Sequence, residues 1–526
     1  AGDLYTTNGE SLDWNSNAFL YYTRSFNKQH NLNVSAGWEA ASGTTESTNA
    51  HYRGFPSGEF HSLNYAAEVY KKPTRTENTT RRVSVLASAN YTWNDIYLVD
   101  ASVRFDGSSE FGANQKWAPF FSGGLGVNIH NYDFFKSNGY INKLKLRASY
   151  GRTGKVNFPA YAATTMYETL FDEWYITGYG AVLKALGNKD LTWEKTDKLS
   201  VGIETKTFHD RLTVDFEYYY NKTIDLVNDV TLSQTSGFST YKDNMGQVAN
   251  KGVELKLRAD IYRDRNWNVA LWGNMAHNKN EILKISDSQK AYNERVAAYY
   301  KNEALYQETL GLSHGAEYSV PLPQYEEGAS LTSIWAVRSL GIDPTTGKEI
   351  FLNRDGSIAD KWNAAQEVVV GNTEPKCSGA FGLNLSYKNW TLFASFLYEW
   401  GGQEYNQTLV NNVENADLVN KNVDLRVLTD RWKKPGDIAQ FKDIKDRGMT
   451  TLPTSRFVQD KALVRLNSLN VSYDFNRDWI KKHLRMNLLR LEASTSDLIN
   501  WSSIKQERGL SYPRSWKVEF SLKAQF

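Results

Sequence analysis

The chain has 526 residues, with 61 Lys and Arg against 59 Asp and Glu. Its formal net charge of +2 does not indicate the basic surface by which a protein binds nucleic acid. The mean hydropathy is −0.56. No apolar run approaches the roughly 18 residues of a membrane-spanning helix, which excludes a helical membrane protein but not a β-barrel, whose strands are only half apolar. A single cysteine, Cys377, excludes an internal disulfide and a cysteine metal cluster.

Apolar and polar residues alternate over segments of about ten residues along the whole chain, the length that a tilted strand needs to cross a bilayer. Because successive side chains of a strand point to opposite faces, each segment predicts a strand with one apolar face. In chain order the predicted strands lie near 16–26, 31–42, 81–93, 96–107, 117–130, 143–152, 193–207, 211–222, 251–263, 266–279, 378–388, 390–402, 462–475, 486–498 and 513–526. The apolar phase slips between Leu466 and Leu469, which predicts a bulge there.

The connections between the predicted strands are alternately short and long. Short turns are predicted at Asn94-Asp95, His209-Asp210, Asp264-Arg265 and Lys388-Asn389. Long extracellular loops are predicted at about 43–80, 153–192, 222–250, 280–377 and 403–460. One such strand alone is more typical of a soluble β-sandwich with a solvated outer face, but short turns on one side and long loops on the other are typical of an outer-membrane barrel.

The predicted fold class is therefore all-β, a transmembrane antiparallel β-barrel. About fifteen strands is an odd number and leaves an unpaired edge, which hydrocarbon does not tolerate. We therefore expect the chain to be the C-terminal portion of a larger barrel, with residues 1–15 in a surface loop. The last predicted strand presents Trp516, Phe520 and Phe526 on its apolar face, and we interpret these residues as the barrel-closing terminus.

A series of short motifs resembles the SusC-like TonB-dependent transporters in order and spacing, from about residue 95 to the end. The motifs are 101–109 (ASVRFDGSS), 111–117 (FGANQKW), 141–151 (INKLKLRASYG), 191–196 (LTWEKT), 246–254 (GQVANKGVE), 341–344 (GIDP) with Gly347, and 456–460 (RFVQD) before 464–466 (VRL). The resemblance implies a 22-stranded barrel whose N-terminal plug, TonB box and first strands are absent from this sequence. It also implies a SusD-like surface lipoprotein as partner, contact with the TonB complex through the missing N-terminal fragment, surrounding outer-membrane lipid, and an oligosaccharide or peptide as ligand. The expected location is the outer membrane of a Gram-negative, Bacteroidetes-like bacterium.

No residue pattern predicts an enzyme. The eight histidines, His30, His51, His61, His130, His209, His277, His314 and His483, lack metal-ligand spacing, and no nucleophile or phosphate-loop motif is present. We expect no cofactor and no metal in this chain. The segment Asn353-Arg354-Asp355-Gly356-Ser357 faintly resembles a calcium loop, but the full spacing of acidic ligands is absent. We interpret it as a turn and keep loop-bound calcium as the minor alternative.

The long loops carry the candidate ligand-binding residues, because loops on a rigid scaffold usually provide binding. Aromatic rings can stack on the apolar faces of sugars, although the same rings can also pack the loops or contact a partner. The candidate substrate-binding residues are Trp174, Tyr175, Tyr179, Tyr325, Trp335, Trp362, Tyr405 and Trp432. Tryptophans at strand ends are expected at the membrane interface, namely Trp193, Trp267, Trp390, Trp479 and Trp516.

The function we predict is active import of oligosaccharides, with a peptide importer of the same family as the alternative. A passive porin and a soluble multi-sandwich carbohydrate-binding protein are the other two alternatives. Dependence of uptake on the proton gradient separates active import from a porin.

Overall fold

The structure, a computed structural model, describes residues 2–526 apart from 60–61, 137–138, 157, 176–177, 232–239, 245, 419, 421–422, 476 and 506–515. It describes the backbone alone for 136, 171–175, 179, 228–231, 240–241, 447–448 and 477. Within these ranges, no helix combines the length and the apolar character needed to span a membrane.

Strands make up most of the described chain, and they alternate with a few short helices and one long helix. The strands are β1 (Gly2–Phe26), β2 (His30–Phe55), β3 (Glu68–Trp93), β4 (Tyr97–Ser108), β5 (Trp117–Asn128), β6 (Ile141–Lys155), β7 (Met166–Tyr175), β8 (Gly178–Ala185), β9 (Glu194–Thr207), β10 (Leu212–Ile224), β11 (Val227–Thr231), β12 (Thr240–Asn244), β13 (Gln247–Arg263), β14 (Trp267–Lys284), β15 (Ser333–Ile342), β16 (Glu349–Leu352), β17 (Ile358–Ala359), β18 (Glu367–Asn372), β19 (Cys377–Tyr387), β20 (Trp390–Tyr405), β21 (Val458–Asp474), β22 (Leu488–Thr495), β23 (Asn500–Ser502) and β24 (Val518–Gln525). The α-helices are α1 (Asp133–Lys136), α2 (Asp287–Leu310), α3 (Gln407–Leu409), α4 (Arg426–Thr429) and α5 (Arg477–Leu484).

One large antiparallel sheet confirms the predicted all-β class and the prediction of about fifteen strands. Its order is β1-β2-β3-β4-β5-β6-β9-β10-β13-β14-β19-β20-β21-β22-β24, with β23 paired to β21 beside this path. The strands therefore neighbour each other in chain order, and the hairpins β7-β8 and β11-β12 lie outside the large sheet. This meander is what a barrel built from consecutive hairpins requires.

The short turns have the backbone that tight hairpins need. Asn94 and Asp95 both have positive φ angles, 53° and 56°, as in a type I′ turn. Lys388 has φ 52°, and Tyr387 pairs directly with Trp390 around it. The predicted bulge is also confirmed, because Ser395 pairs with Ser468 while Phe396 pairs with Leu466, so that Asn467 is the extra residue.

The first predicted loop is much shorter than expected. β2 continues to Phe55 and β3 begins at Glu68, so only 56–67 connects them, and residues 2–15 belong to β1 rather than to a surface loop. Polar cross-strand pairs line this extension, for example Thr44 with Thr79, whose hydroxyl oxygens lie 3.2 Å apart. Because neither face is buried, the sequence lacks apolar alternation there, although backbone pairing continues.

The described chain divides into two compact units. Unit 1 comprises 1–126, 149–198 and 223–245, and unit 2 comprises 127–148, 199–222 and 246–526. The core of unit 1 is an aromatic cluster at the long-loop ends of its strands, consisting of Phe111, Ala118, Phe120, Phe158, Ala163, Leu191, Trp193 and Val227.

Trp193 lies inside this cluster, so its predicted place at the membrane interface is wrong. Its ring stacks on Phe111 with 4.2 Å between centroids, and only 6% of the residue is exposed. The 111–117 motif has a physical reason in the same cluster, because Gly112 donates its N–H to the Leu191 carbonyl at 3.0 Å. A Cβ on Gly112 would lie 2.0 Å from the Lys189 carbonyl oxygen, so only glycine permits this backbone approach.

In unit 2, the residues 285–376 and 406–457 fold into one compact structure between the ends of the barrel strands, which we call the loop body. It contains α2, α3, α4 and a small sheet with the order β17-β16-β15-β18. Two apolar cores hold it, one around Val410, Val413 and Phe441, and one around Val296 and Tyr300. The predicted loops 280–377 and 403–460 are thus largely ordered structure.

Candidate ligand-binding site

Helix α2 is the longest element of the loop body, and the sequence analysis missed it. Ser286 and Gln289 form a capping box, in which the serine oxygen accepts the Gln289 N–H and the Gln289 side chain accepts the Ser286 N–H. Gly311, with φ 64°, ends the helix in the left-handed conformation. The S-x-x-Q pattern followed by a 24-residue stretch and a glycine was the signal that could have revealed it.

Helix α2 buries Tyr300 completely, and this residue anchors the segment that follows. Its hydroxyl donates to the Val320 carbonyl and accepts the Leu322 N–H at 3.0 Å. Burial raises the pKa of the Tyr300 phenol well above its usual range. The ring of Trp362 packs edge-on against Tyr300, with 5.7 Å between the centroids.

Trp362 separates two adjoining hollows on the surface of the loop body, which together we call the Trp362 groove. One hollow has a volume of about 380 Å³ and the other about 300 Å³. Both are lined by Gln307, Trp362 and Leu452. The remaining lining residues are Lys301, Ala304, Leu305, Glu308, Lys361, Asn363 and Ala364 in the first hollow, and Lys348, Glu349, Phe351, Asp360, Lys442, Asp446, Met449, Thr450, Thr451 and Thr454 in the second.

The indole of Trp362 is held in place while part of it stays accessible. Its Nε1–H donates to the Pro453 carbonyl at 2.9 Å, which fixes the plane of the half-buried ring. In the wall of the first hollow, Lys361 forms an ion pair with Glu308. In the second, burial lowers the pKa of Lys442 to about 8, and its ammonium donates to the Met449 carbonyl at 2.6 Å. The groove therefore offers a preorganised aromatic face beside amide, hydroxyl and charged groups.

A buried ion triad ties the segments of the loop body together. The Arg456 guanidinium contacts Glu349 of β16 at 2.9 Å and Glu414 at 2.7 Å. Their side chains are 10%, 9% and 0% exposed, respectively. Both carboxylates raise the pKa of Arg456 although its burial opposes this. Arg456 begins the 456–460 motif, so the structure gives this motif an architectural role in unit 2.

Two of the predicted binding residues lie in the interior of the loop body, and a third, Tyr405 at the end of β20, is half-buried against it. Trp335 is 2% exposed, and Trp432 is 8% exposed. Trp432 Nε1 donates to the Pro344 carbonyl at 2.9 Å, and its ring covers Gly347 of the 341–347 motif. Tyr405 packs against Phe457 in the apolar core. Their observed contacts are packing contacts, and ligand contact by them stays a prediction.

Of the other predicted residues, Tyr325 and Trp362 are both half-buried, but only Trp362 lines the Trp362 groove. The Tyr325 ring packs at a tilt against Tyr292, with 5.6 Å between the centroids. The Asn293 side chain hydrogen-bonds both the N–H and the carbonyl of Tyr325. Trp174, Tyr175 and Tyr179 lie on the β7-β8 hairpin, and their side chains fall outside the described residues.

The faint calcium loop forms the turn between β16 and β17. One carboxylate oxygen of Asp355 accepts both the N–H and the hydroxyl of Ser357, at 2.9 and 2.7 Å. Within the described part of the chain, no group of three or more His, Cys, Asp or Glu side chains is arranged to hold a metal ion. Calcium at this turn stays a prediction.

The other tryptophans predicted at strand ends are more exposed than Trp193. Trp267 and Trp390 begin β14 and β20 and are 38% and 51% exposed. Trp479 is 51% exposed but lies in α5, so its predicted place at a strand end is wrong. Trp516 lies just before β24, Phe520 lies within it, and Phe526 follows it. β24 pairs with β22 and is the last strand in the order of the large sheet. These positions agree with the prediction of an apolar terminal strand, while its closing role stays a prediction.

Comparison with known proteins supports the fold. Residues 2–488 match the family described as TonB dependent receptor-like, beta-barrel. TonB-dependent receptor P39 of Formosa agariphila is 26% identical over 98% of this chain and 53% of its own length. TonB-dependent receptor SusC of Bacteroides thetaiotaomicron is 29% identical over 46% of this chain and 25% of its own length.

Solved structures show the same fold. The RagAB peptide importer in the "open-open" state has a TM-score of 0.83 with 22% identity, over 100% of this chain and 56% of that chain. The chain thus spans about half the length of relatives that match it over nearly all of its own length. Together with the large antiparallel sheet, the match over 2–488 shows that the chain belongs to the TonB-dependent receptor-like β-barrel family.

Proposed function

We propose that the chain forms the C-terminal barrel part of a SusC-type TonB-dependent importer of oligosaccharides in the outer membrane. The loop body captures the ligand together with a SusD-like surface lipoprotein. A plug, the first strands of a 22-stranded barrel and the TonB contact belong to the rest of the protein, because the relatives are about twice as long as the segment matched here. Energy supplied from the inner membrane through that contact then opens a path for the ligand through the barrel.

The observation that carries this proposal is the fixed, half-buried ring of Trp362. Its hydrogen bond to Pro453 and its packing on Tyr300 restrain the ring before any ligand arrives, which lowers the entropic cost of binding. The apolar face of a sugar ring stacks on such an indole, while Gln307, Asp360 and neighbouring hydroxyls are suited to sugar hydroxyl groups.

An oligopeptide is the second candidate ligand, and two observations favour it. The similar RagAB structure is described as that of a peptide importer. The groove also carries both signs of charge, since the Lys361–Glu308 pair lies in its wall and can exchange for the charged groups of a peptide.

The first experiment measures binding by the intact receptor, purified with its lipoprotein. Calorimetric titration with a panel of oligosaccharides and oligopeptides, on wild type and Trp362→Ala, identifies the class. We expect Trp362→Ala to weaken binding of the cognate class by about tenfold to a hundredfold, since a stacked aromatic contact is worth about 1–3 kcal/mol. Trp362→Phe should retain much of the affinity.

The matched control removes an exposed aromatic ring at the short-turn ends of the strands. Phe208→Ala, at a residue that is 54% exposed, should leave binding unchanged. Equal affinity of Trp362→Ala and wild type for every ligand bound would show that the Trp362 groove is not the site. Uptake that continues after collapse of the proton gradient would contradict active import and favour a porin.

A further inference from the structure

The outer wall of unit 2 carries a second groove, which we call the wall groove. It lies at the long-loop ends of β14, β20 and β21. Its lower part, about 290 Å³, is lined mainly by apolar side chains, including Phe381, Tyr398, Trp400, Val464 and Trp501, together with Glu399. Its upper part, about 830 Å³, is polar, and the two parts share Trp400 and Ala462.

The pairing of β20 with β21 shows which face of the sheet carries the apolar part. Tyr398 and Trp400 alternate along β20, and they pair with Val464 and Ala462 of β21. Trp400 is 72% exposed, whereas Ser395, on the opposite face, is 4% exposed. An exposed apolar face opposite a polar one is the lipid-facing side of an outer-membrane barrel.

The position of Trp400 along the strand gives the height of the groove in the membrane. Trp390 lies at the short-turn end of β20, and Trp400 lies ten residues later on the same face. At about 3.3 Å per residue and a tilt of about 40°, ten residues rise about 25 Å, the height of the apolar band of such barrels. Trp400 therefore lies at the outer interface, and the polar part lies at the level of lipid headgroups.

Four basic side chains line the polar part, namely His277, Lys279, Lys376 and Lys461. His277 donates its Nδ1–H to the Lys376 carbonyl at 2.6 Å, which fixes the imidazole. The Lys279 ammonium lies 3.3 Å from Glu281 and stays 58% exposed. The stem of Lys376 lies against Gly401, and no carboxylate among the described residues forms an ion pair with its ammonium.

The carboxylates of the polar part are occupied by hydrogen bonds from neighbouring groups. Glu374 accepts from the Asn278 side-chain amide and, at 3.3 Å, from the Asn280 N–H. Asp460 accepts from the Gln403 side-chain amide at 3.1 Å. A further lining cation, Lys461, is paired with Glu399 and Glu404, at 3.6 and 3.3 Å. Lys461 is 26% exposed between these two carboxylates, whereas Lys279 is 58% exposed beside one carboxylate and Lys376 has no ion pair with a described carboxylate, so lysines 279 and 376 are the more accessible cations for an external anion.

We propose that the wall groove binds a lipid of the outer leaflet whose phosphate headgroup carries a net negative charge. The acyl chain lies along Phe381, Trp400 and Trp501, and the headgroup phosphate is held by Lys279 and Lys376. An amphiphile matches a groove whose apolar part continues directly into a basic one, and phosphate attracts ammonium groups at the membrane surface. This inference rests on the barrel fold and not on the proposed import, so the two can fail separately.

Native mass spectrometry of the intact, detergent-purified receptor tests the proposal. The probe is dipalmitoyl phosphatidylglycerol, with dipalmitoyl phosphatidylcholine and inorganic phosphate as comparison arms. We expect one tightly retained phosphatidylglycerol on wild type, and about tenfold weaker retention on the double variant Lys279→Gln, Lys376→Gln, because two charge-assisted contacts are lost. Trp400→Ala should weaken retention as well, through the apolar part.

The matched control neutralises two exposed lysines elsewhere in unit 2. Lys433→Gln with Lys434→Gln removes the same charge and should leave lipid retention unchanged. Equal retention by wild type and the Lys279, Lys376 double variant would overturn the proposal. Equal retention of phosphatidylcholine, or binding of inorganic phosphate without any lipid, would overturn it too.

Discussion

Removal of the Arg456 side chain should lower the local stability of the loop body without changing that of the barrel strands. In Arg456→Met, the Glu414 carboxylate, which is 0% exposed, and Glu349 lose their common counter-ion. The cation–π contact with Phe457, now 4.4 Å from guanidinium carbon to ring centroid, is lost as well. Removing one partner of a buried ion pair leaves an uncompensated charge and costs about 3–5 kcal/mol.

Hydrogen exchange monitored by mass spectrometry measures this cost locally. Because about 1.4 kcal/mol is a factor of ten, amides in 406–457 should exchange roughly 10²–10⁴ times faster in the variant. Amides of β19 and β20 should keep their wild-type exchange. Lys290→Gln, which breaks an exposed ion pair with Asp287, should show no measurable change.

A compensating variant makes the reasoning about charge falsifiable. Arg456→Met combined with Glu349→Leu and Glu414→Leu removes all three buried charges and should recover most of the protection, since apolar replacement of a whole buried ion network is often neutral. If exchange in 406–457 stays within about threefold of wild type in Arg456→Met, the triad does not hold the loop body together. If the triple variant is as unprotected as the single one, lost shape rather than unpaired charge explains the effect.

Three further predictions concern the same loop body. Gly347→Ala should destabilise it by about 1–3 kcal/mol in hydrogen-exchange measurements, because φ is +72° and a Cβ would lie 2.5 Å from the Trp432 ring. Burial raises the pKa of Glu367 to about 7, so ionisation of its carboxyl destabilises the fold as pH rises from about 4.5 to about 7. The amides of Glu367→Gln should therefore be more protected from exchange than those of wild type at pH 8 and equally protected at pH 4. An unchanged pH profile of exchange would contradict this. Burial of the Glu303 carboxyl opposes its ionisation, but hydrogen bonds from side chains including His314 outweigh burial and lower the pKa. The stability that Glu303 contributes is therefore present above its ordinary pKa and is lost as pH falls through the lowered value. Glu303→Gln should remove this loss of protection at acid pH around the end of α2.

The strands could be predicted because each residue in a barrel wall faces one of two different environments, and its polarity indicates which one. One face contacts lipid and the other polar groups, so the pattern along β20 or β13 alternates at period two whatever the rest of the chain does. The slip between Leu466 and Leu469 marked the bulge for the same reason. Tight turns such as Lys388-Asn389 are equally local, since their backbone angles depend on a few adjacent residues.

Extended pairing and buried aromatic residues were not predictable in this way. β2 and β3 continue through polar residues where neither face is buried, so no alternation marks their ends. Trp193, Trp335 and Trp432 occur in segments without periodicity, and an aromatic residue that packs a loop has the same local sequence as one that binds a ligand. The sequence therefore determined the membrane-facing strands, their order and the family. Only the tertiary structure decided which loop aromatics are buried, that Arg456 joins Glu349 and Glu414, and that Trp362 borders a groove, because each of these depends on contacts between residues far apart in the chain.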